Sequence, residues 1–172
     1  MSKINQVLNY ATMDDYKQVM DVFKLHKSYY PHIRGDKVKR MIERKNIVLE
    51  DNVLITWNHY KRKQKVGNYQ AQKGDCILHQ IAANNQGDGS GKRVFENFLH
   101  FNRGRDVVLS VRSENDRAIS FYKKYGFIKV SDITWGKESQ VKGEVYLLEQ
   151  KPLYRFRDTH IEEIISYSRT TN

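Results

Sequence analysis

Gln86-Gly87-Asp88-Gly89-Ser90-Gly91 sets three alternating glycines between a strand-like run at residues 75–83 and a helical run carrying Val94, Phe95, Phe98, Leu99 and Phe101. Glycines in this alternation let the backbone approach a ligand closely. The free N–H groups that open the following helix form an anion site, strengthened by the helix dipole. The spacing excludes the two commonest phosphate loops. A Walker loop needs Gly at Gln86 and Ser or Thr at Arg93, and a dinucleotide fingerprint needs Gly at Lys92. The loop therefore predicts a phosphate-bearing ligand of a different kind.

Working outward from the loop, residues 107–111 read as a short buried strand. Asn115 or Asp116 then caps a helix whose Ala118, Phe121, Tyr122 and Tyr125 share a face, and Gly126 suits its carboxyl-terminal cap. Strands are predicted at residues 127–135 and 141–149. Upstream, Tyr16, Val19, Met20, Phe23 and Tyr30 fall on one side of a helix placed at about residues 13–26, with Thr12 and Asp15 as its cap. A second, basic helix is expected over residues 36–45. Residues 47–50 and 53–60 should pair around Asp51-Asn52, two residues that tolerate positive φ. Residues 4–10 are a candidate first strand, and residues 61–73, too poor in apolar side chains to pack, read as a mobile connection or a frayed hairpin.

The chain has 172 residues, 39% hydrophobic and 29% charged, which predicts one domain with an ordinary core and argues against disorder. The expected division is a domain at residues 1–150 and a carboxyl-terminal extension at 151–172 with a short helix. That helix is marked by Thr159-His160-Ile161-Glu162, and the extension is a candidate arm in a homodimer. Residues 1–10 lack the apolar run of a signal peptide, and no apolar stretch is long enough to span a bilayer. Cys76 is the lone cysteine, so a cytoplasmic location without membrane contact is expected, and no metal site. The net charge of +10 is concentrated in two places: residues 34–45 hold six basic residues against Asp36 and Glu43, and residues 61–73 hold five and no acid. Such stretches are either solvated surface or a face for a polyanion, nucleic acid first.

Gln86, Gly89 and Gly91 resemble the Q/R-x-x-G-x-G/A signature with which GNAT acetyltransferases hold the pyrophosphate of coenzyme A. Residues 115–127, Asn115-Asp116-Arg117-Ala118-Ile119-Ser120-Phe121-Tyr122-Lys123-Lys124-Tyr125-Gly126-Phe127, resemble that superfamily's N-x-x-A-x-x-F-Y-x-K-x-G-F segment. Both occur in the right order, and the resemblance covers residues 75–148 well. It implies an α/β (α+β) fold: a strongly bent, mixed sheet of six or seven strands flanked by about four helices, with acetyl-CoA entering between the strands at 75–83 and 107–111. It further implies acyl transfer to an amine, on a small molecule or a macromolecule. Gly87, Asp88, Gly89, Ser90, Gly91 and Lys92 would cradle the pyrophosphate with Gln86. The backbone of His79, Gln80, Ile81 and Ala82 would meet the pantetheine arm, and Asn115 and Phe121 would flank it.

Within the same resemblance, Tyr122 matches the tyrosine that protonates the departing thiolate, and a donor near the sulfur is what that chemistry requires. Tyr122 also suits a core position. For removal of the amine's proton two residues compete. Asp75 aligns with a strand-borne glutamate of some members, and His79, four residues on and on the same strand face by simple alternation, has an ordinary pKa suited to neutrality. A water relay from either is a third route. Cys76 as an acylated nucleophile has no evident charge partner, and direct transfer is the superfamily norm. Tyr29, Tyr30, His32 and Arg34 lie where the superfamily builds acceptor pockets, with Trp57, His59 and Trp135 as further wall candidates. Distant phage relatives of the Mom type make DNA-base modification an alternative. A non-catalytic scaffold that holds nucleic acid is another.

Overall fold

The structure is a computed structural model, in which residues 7–84 and 87–151 are described. In order they form α1 (Tyr16–Leu25), α2 (Gly35–Glu43), β1 (Ile47–Glu50), β2 (Val53–His59), β3 (Gln64–Val66), β4 (Tyr69–Ala71), β5 (Cys76–Ala83), α3 (Ser90–Phe101), β6 (Val107–Arg112), α4 (Asp116–Lys124), β7 (Ile128–Trp135) and β8 (Val141–Leu148). Six strands make one mixed sheet in the order β1-β2-β5-β6-β8-β7, in which only β5 and β6 run parallel. The parallel pair is joined through α3, as a crossover requires.

Local chemistry explains most boundaries. Asp15 reaches back to the Thr12 N–H at 2.8 Å, closing the turn Met13–Asp15 that leads into α1. Asp51 and Asn52 hold φ of 49° and 60°, the left-handed pair a tight β1–β2 hairpin needs. Asn115 Oδ1 accepts from Ala118 N at 3.2 Å and caps α4, and Gly126 ends that helix at φ 89°. Of the expected strand at 4–10, the described part shows a single bridge, Tyr10 to Val48. The expected terminal helix lies outside the described residues.

The alternation of each strand sorts side chains to two faces. One face packs Val53, Ile55, Trp57, Val107 and Leu109 against Val94, Phe95 and Phe98 of α3 and Tyr122 of α4. On the other, Ile47, Leu54 and Ala82 meet α1 and α2 through Val19, Val22, Val38 and Ile42. Beside them the β3–β4 hairpin seats Val66 and Ala71 on Val108, Val145 and Leu147. Residues 61–73 were expected to pack poorly. Their two buried apolar side chains, with Tyr60, instead anchor a true hairpin, turned at Gly67 with φ 59°.

One irregularity positions the site. Thr56 and Trp57 are adjacent on β2, yet their β5 partners are Gln80 and Leu78, so His79 is an extra, unpaired residue. This β-bulge reverses the alternation along β5. Cys76 and Leu78 face α3, whereas beyond the bulge Ile81 and Ala83 do so, and Ala82 turns to α1 and α2. Bulges re-aim side chains in this way next to functional sites.

Candidate active site

β5 pairs with β6 only through Cys76, Leu78 and the residue between, against Val107 to Leu109. At the bulge β5 turns away, while β6 continues along β8 as far as Arg112. The parted strands open a V-shaped cleft with two connected cavities, each of about 430 Å³. The first is lined by His32, His79, Gln80, Ser110, Arg112 and Trp135 among others. The second runs past Ala82, Ala83, Phe121 and Arg117 to the loop Gly87, Asp88, Gly89, Gly91 and Lys92. Tyr29, Tyr30, Ile81, Asn115, Ala118 and Tyr122 line both, so the two meet along these six residues.

The glycine loop fits a ligand's phosphates on structural grounds. Gly87 and Gly89 hold φ of 92° and 82°, which other residues adopt at a cost of about 1–2 kcal/mol. A Cβ built at Gly87, Gly89 or Gly91 would meet nothing within 4 Å, so the space ahead of the loop is open. Gly89 is the N-cap of α3, and the first-turn N–H groups have no intrahelical acceptors. Asp88 takes one of them, Ser90 N, at 2.9 Å, which lowers its carboxyl pKa. Gly91 and Lys92 line the second cavity, and the Lys92 ammonium lies 3.9 Å from Glu96 Oε1 one turn further along α3. Gln86 lies outside the described residues.

Tyr122 is 6% exposed. Phe95, Phe121 and Phe127 hold its ring at centroid distances of 6.1, 5.6 and 5.6 Å. Burial, with a smaller contribution from Tyr30, raises its pKa far above the ordinary phenol, so the hydroxyl stays protonated and available as a donor. The packing role and the position at the junction thus belong to the same residue. Tyr30 donates to Ile81 O at 3.1 Å, and His26 Nε2 lies 3.2 Å from Ala83 O, so α1 and the loop after it are tied to the open edge of β5.

The two base candidates separate. Asp75 is 0% exposed and precedes β5 at the closed end of the V. Its carboxylate pairs with Lys151 and accepts from Gln72 N at 2.8 Å, outside both cavities. His79, the bulged residue, lines the first cavity; it keeps to the face opposite α3, as alternation from Asp75 has it, but stands toward the open end of the V, where its ring meets Asn58. Desolvation by the cleft walls, and then the Lys37 charge, lower its pKa below the usual 6.5, so the ring is neutral at pH 7. Its Nε2 lies 3.1 Å from Asn58 Nδ2, and Asn58 Oδ1 lies 2.6 Å from Asn46 Nδ2. Turning these amides over exchanges donor for acceptor at the same place, so the pair can support either imidazole tautomer. Cys76 is buried and its thiol is pushed up to about 12, chiefly by desolvation, which makes it inert.

Of the acceptor-wall candidates, Tyr29, Tyr30, His32 and Trp135 come together in the first cavity. The other three are elsewhere. Arg34 pairs with Asp36 at 3.2 Å on the surface. Trp57 is 3% exposed, with its ring centroid 5.4 Å from that of Phe98 on the α3 face of the sheet. His59 Nε2 meets Asn102 Oδ1 at 3.0 Å. The cleft also holds His26, Ser110, Arg112 and Arg117, which were not foreseen. Arg117 sits two residues after the Asn115 cap, where the helix register alone would have pointed to the cleft mouth. Ser110 and Arg112 follow from the parting of the strands, which pattern does not reveal. No helix among the described residues is long and apolar enough to cross a membrane.

No family model matches the chain. One curated relative, the N-alpha-acetyltransferase RimI of Mycobacterium tuberculosis, is 44% identical over 45 residues, which are 26% of this chain and 28% of that protein. Among solved structures, a GNAT-family acetyltransferase from Bacillus cereus superposes with a TM-score of 0.63 at 14% identity, covering 84% of this chain and 96% of its own. An acetyltransferase from Salmonella typhimurium, solved with its cofactor acetyl-CoA, gives 0.60 at 12% identity over 84% and 93%. With its six-stranded mixed sheet parted between β5 and β6, the chain has the GNAT acetyltransferase fold.

Proposed function

We propose that the protein transfers an acetyl group from acetyl-CoA directly to a primary amine. The observation that carries this reading is that Tyr122 lines two adjoining cavities, one reaching the glycine loop and the other walled by His32, His79 and Trp135. The Salmonella neighbour's cofactor and the segment similar to an N-alpha-acetyltransferase support it. The loop residues Gly87, Gly89, Gly91 and Lys92 would hold the pyrophosphate, and the open edge of β5 at Ile81 and Ala83 would run beside the pantetheine arm. Acetyl-CoA, when bound, supplies an acyl group activated as a thioester.

The chain's own residues do the rest. Tyr122 holds a proton at its Oη, fixed by the aromatic packing, for a sulfur that leaves as thiolate. His79 is neutral and takes the amine's proton on its ring, which Asn58 Nδ2 holds in place at 3.1 Å from Nε2. Asp75 is a structural carboxylate. Tyr29, Tyr30 and His32 exclude water and orient the acceptor. Incubation with acetyl-CoA and a mixed pool of amines, peptides, RNA and DNA, followed by mass analysis of each fraction, tests the activity. Saturable acetyl-CoA binding without transfer to any fraction would instead make this a binding module.

A further inference from the structure

A third cavity, of about 350 Å³, lies beyond the bulge and is lined by Lys37, Arg40, Arg44, Asn58, His79 and Gln80, with Asn46 and Met41. Positions 37, 40 and 44 are spaced three and four apart, so their cations stand on one face of α2. Arg40 is held by Asp36 at 3.0 Å. Lys37 and Arg44 have no carboxylate within salt-bridge distance among the described residues. Arg40 and Arg44 stand at the carboxyl-terminal end of α2, where cations suit the helix dipole, whereas Lys37 stands in its first turn, where a cation does not. His79 and Gln80 line this cavity and the acceptor cavity alike, so the two adjoin at the bulge. Lys37 lines this cavity with His79, and its charge, after desolvation, lowers the pKa of both His79 and His32.

We infer that this cavity is an anion subsite of the acceptor: the amine substrate carries a carboxylate or phosphate that Lys37 and Arg44 bind while the amine sits at His79. Concave enclosure and two unpaired cations suit one compact anionic group. The inference rests on the acyltransferase reading, and deepens it by naming the acceptor's chemistry. It also gives a function to part of the basic stretch at residues 34–45, which charge alone left as either surface or polyanion face.

The test uses the full chain, saturating acetyl-CoA, a pH well above the histidine range, and matched short peptides with a free amino terminus. At positions one to three these carry Asp, Asn or phosphoserine. The acidic peptides should exceed their Asn counterpart in kcat/KM by about tenfold to a hundredfold, the range expected for hydrogen bonds to a charged group. Comparison of the Asp and phosphoserine series distinguishes the two anions. Lys37→Gln with Arg44→Gln should bring the ratio to near unity, and Lys37→Glu with Arg44→Glu should invert it toward Lys-bearing peptides. Both variants change exposed or half-buried side chains, and unchanged melting temperatures would verify their folds. Equal transfer to acidic and neutral peptides by the parent protein overturns the subsite while leaving the activity standing. Transfer to none overturns the activity reading itself. Competition by an oligodeoxynucleotide with a steep salt dependence, in place of a preference among peptides, would replace the subsite with a nucleic-acid face.

Discussion

Gly91→Leu should stabilise the free protein and abolish its response to acetyl-CoA. Gly91 lies in the first turn of α3, has ordinary negative φ, and a Cβ there meets nothing within 4 Å. Replacing helical Gly by Leu is favourable by up to about 0.5–1 kcal/mol. For a domain of this size that is a rise in Tm of at most about 2–4 °C. The signature that Gln86, Gly89 and Gly91 resemble admits alanine at the last position, so a methyl group is compatible with the ligand, whereas the leucine side chain fills the space through which the backbone would meet the pyrophosphate. At a ligand concentration of about 100 Kd the parent protein gains about 2.7 kcal/mol, or about 5–11 °C of Tm. Thermal unfolding with and without acetyl-CoA therefore reads two opposite changes in one assay: a slightly higher Tm without ligand, and a ligand shift close to zero. Gly89 offers a less clean test, since at φ 82° any side chain strains the free loop as well. A Gly91→Leu protein with an undiminished ligand shift would refute the assignment of this loop.

Two further predictions concern the base and its rival. The rate profile should have an acidic limb with its midpoint below 6.5, because desolvation and Lys37 depress His79 and the neutral ring is the active form. His79→Gln should remove that limb, Lys37→Gln should move it to higher pH, and an unchanged limb in both would exclude His79. Asp75→Ala should cost about 3 kcal/mol by breaking a buried ion pair, a fall of about 6–12 °C in Tm, with kcat per folded molecule unchanged. A selective loss of turnover would return Asp75 to the mechanism.

What pattern revealed here was local. The glycine loop, the Asn115 cap, the turn at Asp51-Asn52 and the shared face of Phe121, Tyr122 and Tyr125 each depend on residues a few positions apart, and each reads directly from spacing. The bulge at His79 depends on how β2 registers with β5, a non-local choice, so alternation could follow β5 as far as His79 but could not show that Gln80 shares its face. Asp75 was misleading because Lys151, its partner, is distant in sequence and near only once β5 and β8 flank β6. Trp57 and His59 read as groove residues by strand position, but on β2 one turns toward Phe98 and the other reaches Asn102. The hairpin at 61–73 was underestimated because a two-stranded ribbon resting on a sheet needs few apolar anchors.

The measurement that tests the central claim most directly is the release of free thiol from acetyl-CoA in the presence of an accepted amine, with Tyr122→Phe beside the parent protein and acetyl-CoA affinity measured on the same samples. If the phenol at the junction of the two cavities supplies the proton, turnover should fall about 100-fold to 10,000-fold while the affinity stays the same. Full turnover by the variant would contradict the account and leave Tyr122 as a packing residue alone.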